Sequence, residues 1–219
     1  MSAAPIYAFF DFDGTLIEGD SILYWLRFYY RRRPLRIFSL IPAMLALVLR
    51  ALGLISTHTL KRVALWPMSY EKPGRLDALA KDFVRQDLAF RLRQPVLDRL
   101  REHHRKGHRI VVISASASFY LRHLQSLLPS SCVFLGTELE WGVGFLGMPV
   151  YRGGNLREEN KIHRLKELGF GDAGRGGFAY SDHHHDIPLL SFVEFPTCVQ
   201  PTAKLRKVAL ASGWPIWDL

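Results

Sequence analysis

The chain is organised around IYAFFDFDGTL, residues 6–16. Residues 6–10 are aromatic and apolar without alternation, as in a short strand buried on both faces. The run stops at Gly14 and Thr15, which begin a turn, so Asp11 and Asp13 stand at the strand's carboxyl end. Two positions apart on an extended chain, their side chains are expected to point the same way. HRIVVISAS (108–116) repeats the pattern: a β-branched run gives way to small polar residues, and SFYLRHLQSLL behind it reads as a helix. GFAYSD (177–182) is a third strand ending on a carboxylate, KIHRLKELG (161–169) a helix closed by Gly169, and EFPTCVQ (194–200) the expected last strand before a C-terminal helix. Short strands are expected near 132–151, where glycines mark the turns.

Strands alternating with helices specify an α/β fold with a doubly wound, Rossmann-like parallel sheet. Such sheets bind ligands at the carboxyl ends of their strands, where Asp11, Asp13, Ser114 and Asp182 all fall. Residues 17–94 lack the alternation. Apolar content is nearly continuous from Ser21 to Gly53, broken by RRRP at 31–34, by Pro42 and by Arg50. An amphipathic helix is expected over 70–93, and Pro95 suits the first turn of another. The expected organisation is therefore a catalytic core of residues 1–16 and 95–219 with a helical cap, 17–94, inserted after the first strand.

At 219 residues the chain suits one domain of this class plus an insertion, and 48% hydrophobic against 22% charged residues excludes a disordered or fibrous protein. Two cysteines, Cys132 and Cys198, make neither a disulfide framework nor a clustered zinc site, and a reducing compartment fits them. The opening residues show no basic segment followed by an apolar one and a cleavage site, so no secretion is expected. The formal net charge of +9 favours a polyanionic partner without choosing among nucleic acid, a phosphate ester and an anionic lipid surface.

Each polar candidate has a bland alternative: turn aspartates for Asp11 and Asp13, a capping serine for Ser114, a solvated lysine for Lys161, and helix caps for Asp182 and Asp186. Taken together they pose an electrostatic problem. Carboxylates converging on one crevice repel by about 4 kcal/mol per pair at 4 Å and an effective dielectric constant near 20. Mg²⁺ held by oxygens of Asp11, Asp13 and Asp182, with Lys161 alongside, would balance that charge and that of an incoming phosphate.

FDFDGTL, Ser114 in VVISAS, Lys161 and YSDHHHDIPLL (180–190) resemble the four motifs of the haloacid dehalogenase superfamily, in its phosphoserine-phosphatase-like branch with a helical cap after the first motif. The resemblance spans essentially the whole chain and implies a phosphatase, a phosphoric monoester hydrolase. It implies that Asp11 attacks phosphorus to form an aspartyl phosphate, while Asp13 protonates the leaving alkoxide and then activates water. It also implies that Ser114, Ala115 and Lys161 hold the phosphoryl oxygens, that Asp182 ligates Mg²⁺ with Asp11 and the main-chain carbonyl of Asp13, and that Asp186 orients Lys161 or a metal-bound water. One position departs from the branch: His183 stands where serine is usual, followed by His184 and His185. Successive side chains are expected to diverge, so a loop variation is preferred to a transition-metal site.

The insertion bears on the substrate. RFYYRRRPLR (27–36) places five arginines beside Trp25, Tyr29 and Tyr30, and IFSLIPAMLALVL (37–49) carries no charge. Arginines and aromatics flanking an apolar run suggest a membrane interface, against the alternative of a buried cap helix. A single crossing would put the first motif on one side of the bilayer and the other three on the opposite side, so an interfacial or re-entrant helix is expected. RRRPL, the apolar run, WPMS (66–69) and the fourth motif resemble the bacterial phosphatidylglycerophosphatase C group. That resemblance implies dephosphorylation of phosphatidylglycerophosphate to phosphatidylglycerol on the cytoplasmic side of the inner membrane, with an anionic membrane surface and a lipid phosphate as partners. The alternatives are a soluble cytoplasmic phosphatase acting on a small metabolite such as phosphoserine, for which Glu18 or Asp20 would hold the amino group, and a non-enzymatic anion- or nucleic-acid-binding module. No nucleic-acid partner is expected, because the basic cluster adjoins an apolar run and no nucleic-acid motif is present.

Overall fold

The computed structural model describes residues 5–219, so the first four residues of the expected core lie outside the described ones. The unalternating run at the start forms β1 (Tyr7–Phe10), and every residue in it is buried. Its side chains divide between two cores: Ala8 and Phe10 join one apolar cluster, Tyr7 and Phe9 the other. β2 (Arg109–Ala117) divides the same way, Ile110 and Val112 to one side and Val111 and Ile113 to the other. A strand covered on both faces has no use for polar positions, which is why these runs are continuously apolar.

The remaining strands are β3 (Val133–Glu140), β4 (Val150–Arg152), β5 (Phe178–Ser181), β6 (Phe195–Val199) and β7 (Ile216–Trp217). They form one seven-stranded sheet of order β4-β3-β2-β1-β5-β6-β7, parallel except for the β3–β4 pair. The winding reverses at β1, and the carboxyl ends of β1 and β5 therefore open onto the crevice where such sheets bind ligands.

Nine α-helices occur among the described residues. Five lie between β1 and β2: α1 (Ser21–Arg32), α2 (Leu40–Ala51), α3 (Thr57–Leu65), α4 (Pro73–Gln86) and α5 (Gln94–Arg105), the last leading into β2. Beyond β2 come α6 (Ser118–Leu121), α7 (Glu159–Glu167), α8 (Ile187–Phe192) and α9 (Ala203–Ser212). Trp25 of α1 packs its ring against Phe83 of α4 and against Phe119 and Tyr120 of α6, and Phe28 packs against Phe83, so the insertion shares the core on one face of the sheet. Arg62 Nε donates to Pro149 O at 2.7 Å and Trp66 Nε1 to Leu146 O at 2.7 Å, which ties the insertion to the β3–β4 hairpin as well.

Several expected elements differ in extent. The nearly continuous helix from Ser21 breaks at Arg33, because Pro34 starts a 3₁₀ segment, Pro34–Ser39, before α2. The helix expected over 70–93 is α4 alone, followed by a separate 3₁₀ turn, Leu88–Arg91. EFPTCVQ is not the last strand. β7 follows α9 and pairs with β6, Cys198 opposite Ile216, after Gly213 takes a φ of 68° at the helix C-terminus.

The outer side of 34–54 is uncovered. Leu35 is 91% exposed, and Ile37, Phe38, Ile41, Met44, Leu45, Leu47, Val48, Leu52 and Leu54 are all exposed, while Ala46 is the one buried residue of α2. By length and composition Pro34–Ala51 could cross a membrane. Because β1 pairs directly with β2, Tyr7 opposite Arg109, the two flanks of this segment belong to one sheet, and a single crossing is sterically excluded.

Candidate active site

β1 stops at Phe10, and Asp11 continues it by one hydrogen bond, its N–H donating to Tyr180 O at 2.9 Å. Its carboxylate is 7% exposed and accepts from Lys161 Nζ at 2.7 Å. Lys161 comes from the first turn of α7, where its side chain, 2% exposed, runs beneath the strand ends. The same ammonium lies 2.8 Å from both carboxylate oxygens of Asp186, which also accepts from Ser181 Oγ at 2.7 Å. Asp186 makes no side-chain cap to α8, and the bland readings of Asp186 and Lys161 both fail on this geometry.

Asp182 leaves the end of β5 toward Asp11. Thr15 joins the two: its hydroxyl donates to Asp182 Oδ1 at 3.1 Å, accepts from Asp182 N–H at 3.0 Å, and lies 3.5 Å from Asp11 Oδ2. Gly14 makes room for this approach. Its φ is 75°, and a Cβ there would collide with the Asp182 carboxylate.

Asp13 lines the same cavity as Asp11 but takes different partners. The strand has ended before it, and Asp13 forms only an isolated bridge with Ile17, so the period-two argument does not apply. One of its oxygens accepts from Ser21 N–H at 2.7 Å, at the start of α1, and the other from Ser116 Oγ. Ser21 Oγ lies 2.8 Å from Ser116 Oγ and 2.9 Å from Tyr120 OH, all three groups being buried. The two aspartates thus occupy unlike environments, one against an ammonium and one against hydroxyls and an amide.

Ser114 is 2% exposed and lies within β2, four residues before α6, so it does not cap a helix. Its Oγ accepts from Ser116 N–H at 3.0 Å. Ser114 and Ala115 line one cavity of about 620 Å³ together with Asp11, Asp13, Lys161, Asp182 and Asp186. Asp20 lines it too, whereas Glu18 does not.

The three histidines do not diverge. A tight turn at 184–186 folds them back, and their ring centroids lie 4.1–4.4 Å apart. Their ligand atoms come within 4.8 Å of one another, the spacing of a possible metal group. Three of the nitrogens are committed, however. His183 Nδ1 accepts from His185 N–H at 3.2 Å, as a capping side chain would, and His185 holds Arg157 with Nε2 and Glu158 with Nδ1, the latter at 2.6 Å. His184 Nδ1 is buried without a partner. A loop cap therefore remains the better description, for a different reason than divergence.

Burial pushes Asp11 well above the usual carboxylate range, against the pull of Lys161, with Asp186 and Asp182 adding to the rise. Burial likewise raises Asp182 to about 6 and raises Asp13, where Asp20 adds to the effect and the bonds from Ser116 and Ser21 oppose it. Lys161 loses from burial but is held above its ordinary value by Asp11 and Asp186. Three carboxylates around one ammonium leave surplus negative charge on hard oxygen donors, a set that fits a divalent cation such as Mg²⁺. Asp11 and Asp182 supply carboxylates joined through Thr15, and Gly14, next to Asp13, packs against the Asp182 carboxylate.

Residues 8–191 match the haloacid dehalogenase-like hydrolase family. The chain belongs to that family. Among its relatives, a phosphoserine phosphatase of Mycobacterium tuberculosis (strain ATCC 25618 / H37Rv) is 28% identical over 96% of this chain and 70% of its own. A histidinol-phosphatase of Neisseria meningitidis serogroup C (strain 8013) is 25% identical over 95% and 96%. A crystal structure of a protein of unknown function from Bordetella pertussis Tohama I superposes with a TM-score of 0.78 at 24% identity, covering 98% of this chain and 99% of that one. This haloacid dehalogenase-like chain is thus a hydrolase with phosphatase relatives, consistent with phosphomonoesterase chemistry.

Thr15, Ser21, Ser116 and Ser181 were not singled out by sequence. Ser116 follows Ser114 at a spacing of two, but its partners Ser21 and Tyr120 carry no local signal.

Proposed function

We propose that the protein is a Mg²⁺-dependent phosphomonoesterase working through an aspartyl phosphate on Asp11. The observation that supports this is the division of the aspartate pair: Asp11 lies against Lys161 at 2.7 Å, while Asp13 is held apart by Ser21 and Ser116. In the first step an Asp11 carboxylate oxygen bonds to phosphorus as the ester P–O bond breaks, and Asp13 gives its proton to the departing alkoxide. In the second, water attacks the same phosphorus, Asp13 takes the water's proton, the Asp11–phosphorus bond breaks and inorganic phosphate leaves. The raised proton affinity of Asp13 suits it to begin as the acid. Lys161, Ser114 and the Ala115 amide hold phosphoryl oxygens, and Asp186 fixes Lys161. Asp11, Asp182 and the Asp13 carbonyl would hold Mg²⁺, which when bound would neutralise charge at the phosphate. In this reading residues 17–94 serve as a cap over a core of 1–16 and 95–219.

The relatives favour a small phosphorylated metabolite as substrate, in the manner of phosphoserine or histidinol phosphate, and a cytoplasmic enzyme. A second reading rests on the bare apolar face of 34–54. An apolar face with exposed Arg31, Arg32 and Arg50 at its margins suits an anionic bilayer, which would place the enzyme on the cytoplasmic side of the inner membrane. The substrate would then be a lipid phosphate, phosphatidylglycerophosphate, as in the phosphatidylglycerophosphatase C group. Arg33 and Arg36 are less available for that role than the sequence suggests, because both reach Glu71, at 3.2 and 3.6 Å.

The test is phosphate release, with and without Mg²⁺, from phosphoserine, histidinol phosphate, glycerol phosphate, phosphatidate and phosphatidylglycerophosphate, with Asp11→Asn as control. Release from at least one ester that vanishes without Mg²⁺ and in the variant is expected. Activity that survives in Asp11→Asn would end the covalent mechanism, and a preference for water-soluble esters would end the lipid reading.

A further inference from the structure

The cavity above the strand ends carries positive charge that the chemistry at its floor does not use. Lys61, from α3, and Arg157, from the loop before α7, both line it and both are half-buried. Among the described residues neither has a carboxylate within ion-pair distance, and Arg157 spends its one side-chain bond on Nε2 of His185, whose Nδ1 holds Glu158 at 2.6 Å. A half-buried cation without a counter-charge is costly to desolvate further, and it persists where an anion arrives to meet it.

Arg157 is also held firmly. Asn155 and Leu156, just before it, are buried and bonded to Thr137 of β3, at 2.9 Å from the Asn155 side chain and 3.2 Å from the Leu156 N–H. Glu158, just after it, takes a φ of 56°, which a residue with a Cβ adopts only when its surroundings impose it. Asp20, a further carboxylate lining the cavity, is turned onto Ile22 N–H at 2.9 Å as the N-cap of α1. Apart from the floor residues, the lining is thus net cationic, with one of its cations on a rigid loop.

We propose that Lys61 and Arg157 form a second anion subsite, which binds a negative charge on the leaving group of the substrate. The proposal rests on the phosphatase reading of the floor and names the class of ester: an alcohol bearing a carboxylate or a phosphodiester. It ranks alcohols with a cationic tail, such as histidinol, last.

Three phosphonates of equal length separate tail charge from the phosphate mimic: 3-phosphonopropionate, propylphosphonate and 3-aminopropylphosphonate. Their affinities for the full chain with Mg²⁺ are read by calorimetry. The carboxylate compound is expected to bind at least about tenfold tighter than the propyl compound, and the amino compound weakest. Lys61→Gln and Arg157→Gln should each cost the carboxylate compound far more than the propyl one. Equal affinities for the three, or variants that weaken all three alike, would overturn the subsite; the second result would assign both cations to the scissile phosphate. Hydrolysis of p-nitrophenyl phosphate by the same preparation keeps the two readings apart. Turnover without tail preference sinks the subsite alone, and tail preference without turnover sinks the reaction alone. The relative kcat/KM for 3-phosphoglycerate and short-chain phosphatidylglycerophosphate then tells a carboxylate source from a phosphodiester one.

Discussion

The strand ends and the outer face of residues 34–54 solve opposite problems. At the strand ends, charged groups are buried or half-buried and each has a polar partner: Lys161 meets Asp11 and Asp186, Asp186 meets Ser181, and Asp182 meets Thr15. On the outer face of 34–54, apolar groups are exposed and none is matched. A buried ion cluster is weak evidence for stability, since apolar packing would serve as well, and a bare apolar face is unfavourable in water. Neither region is explained by folding alone. The first fits a reaction, the second a surface or substrate brought to it.

The largest effect that could break this contrast lies at Asp11. Asp11→Asn is expected to lower kcat by at least about 10³-fold, because the amide nitrogen and oxygen cannot replace the attacking carboxylate. The fold should persist, since burial already disfavours the charged form of this residue. Circular dichroism and thermal melting beside the assay check both halves. A variant that retains activity would show that the matched cluster is structural.

Lys161→Met tests the matching itself. Removing the ammonium leaves Asp11 and Asp186 buried against each other, and breaking such a pair costs about 3 kcal/mol. Urea unfolding in the presence of a chelator should show that loss. Mg²⁺ should restore part of it if the cation neutralises the same carboxylates. A loss below about 0.5 kcal/mol, the range of an unremarkable surface change, would mean that the cluster is not held by charge.

Much of the strand-end region was legible in sequence, because a strand buried on both faces writes itself as an unbroken apolar run and its polar successor marks the carboxyl end. Asp11, Ser114 and Asp182 were found that way, Lys161 near the start of a helix and Asp186 four residues beyond Asp182, and all five line one cavity. Asp13 was found, but its partners Ser21 and Ser116 were not, since the strand stops three residues before it and they lie elsewhere in the chain. The groups that hold these side chains in place stayed hidden. Ser21 and Ser116 are 95 residues apart, Thr15 and Asp182 are 167 apart, and hydroxyls make such bonds without any periodicity. The limits of α4 and α6 were missed for a different reason: each helix passes into a 3₁₀ turn with the same apolar spacing, so pattern alone cannot place the junction.

A third region lies behind the site and sharpens the contrast by its response to acid. His103 is 4% exposed and bonds Tyr180 OH through Nε2 and His108 through Nδ1, both at 2.8 Å, so it lies directly behind the strand that carries Asp182. Burial, with His108 and Arg99 adding, pushes its pKa down to about 4. The unfolded chain binds a proton near 6.5 while the folded one refuses it until about 4, so this histidine takes stability away as pH falls through that window. Asp182, held up near 6, works in the opposite sense and gains stability over part of the same range. The comparison must therefore be made against His103→Gln. The wild type's advantage over that variant should shrink by about 2 kcal/mol between pH 7 and pH 4.5. A constant gap would mean that His103 takes up its proton over the same pH range folded and unfolded, and a gap that widened toward acid would mean that the fold favours its charged form.

The smallest effect is expected on the exposed face. Leu45 and Val48 are 60% and 56% exposed, one turn apart on α2. Leu45→Ser with Val48→Ser should shift stability by no more than about 0.5 kcal/mol, because side chains already in water lose almost no burial on truncation. Turnover of a soluble ester should not change either, since neither residue reaches the cavity. Co-sedimentation with vesicles containing anionic lipid is where the double variant should differ, each removed side chain having contributed on the order of 1–2 kcal/mol to insertion. If the wild type stays in the supernatant at low salt, the apolar face has no bilayer to meet and the lipid reading falls. If it sediments and the double variant does not, the unmatched region is a docking surface. The apolar chain from Leu35 to Leu54 then runs directly into α3, whose Thr57 and Lys61 stand on the wall of the cavity.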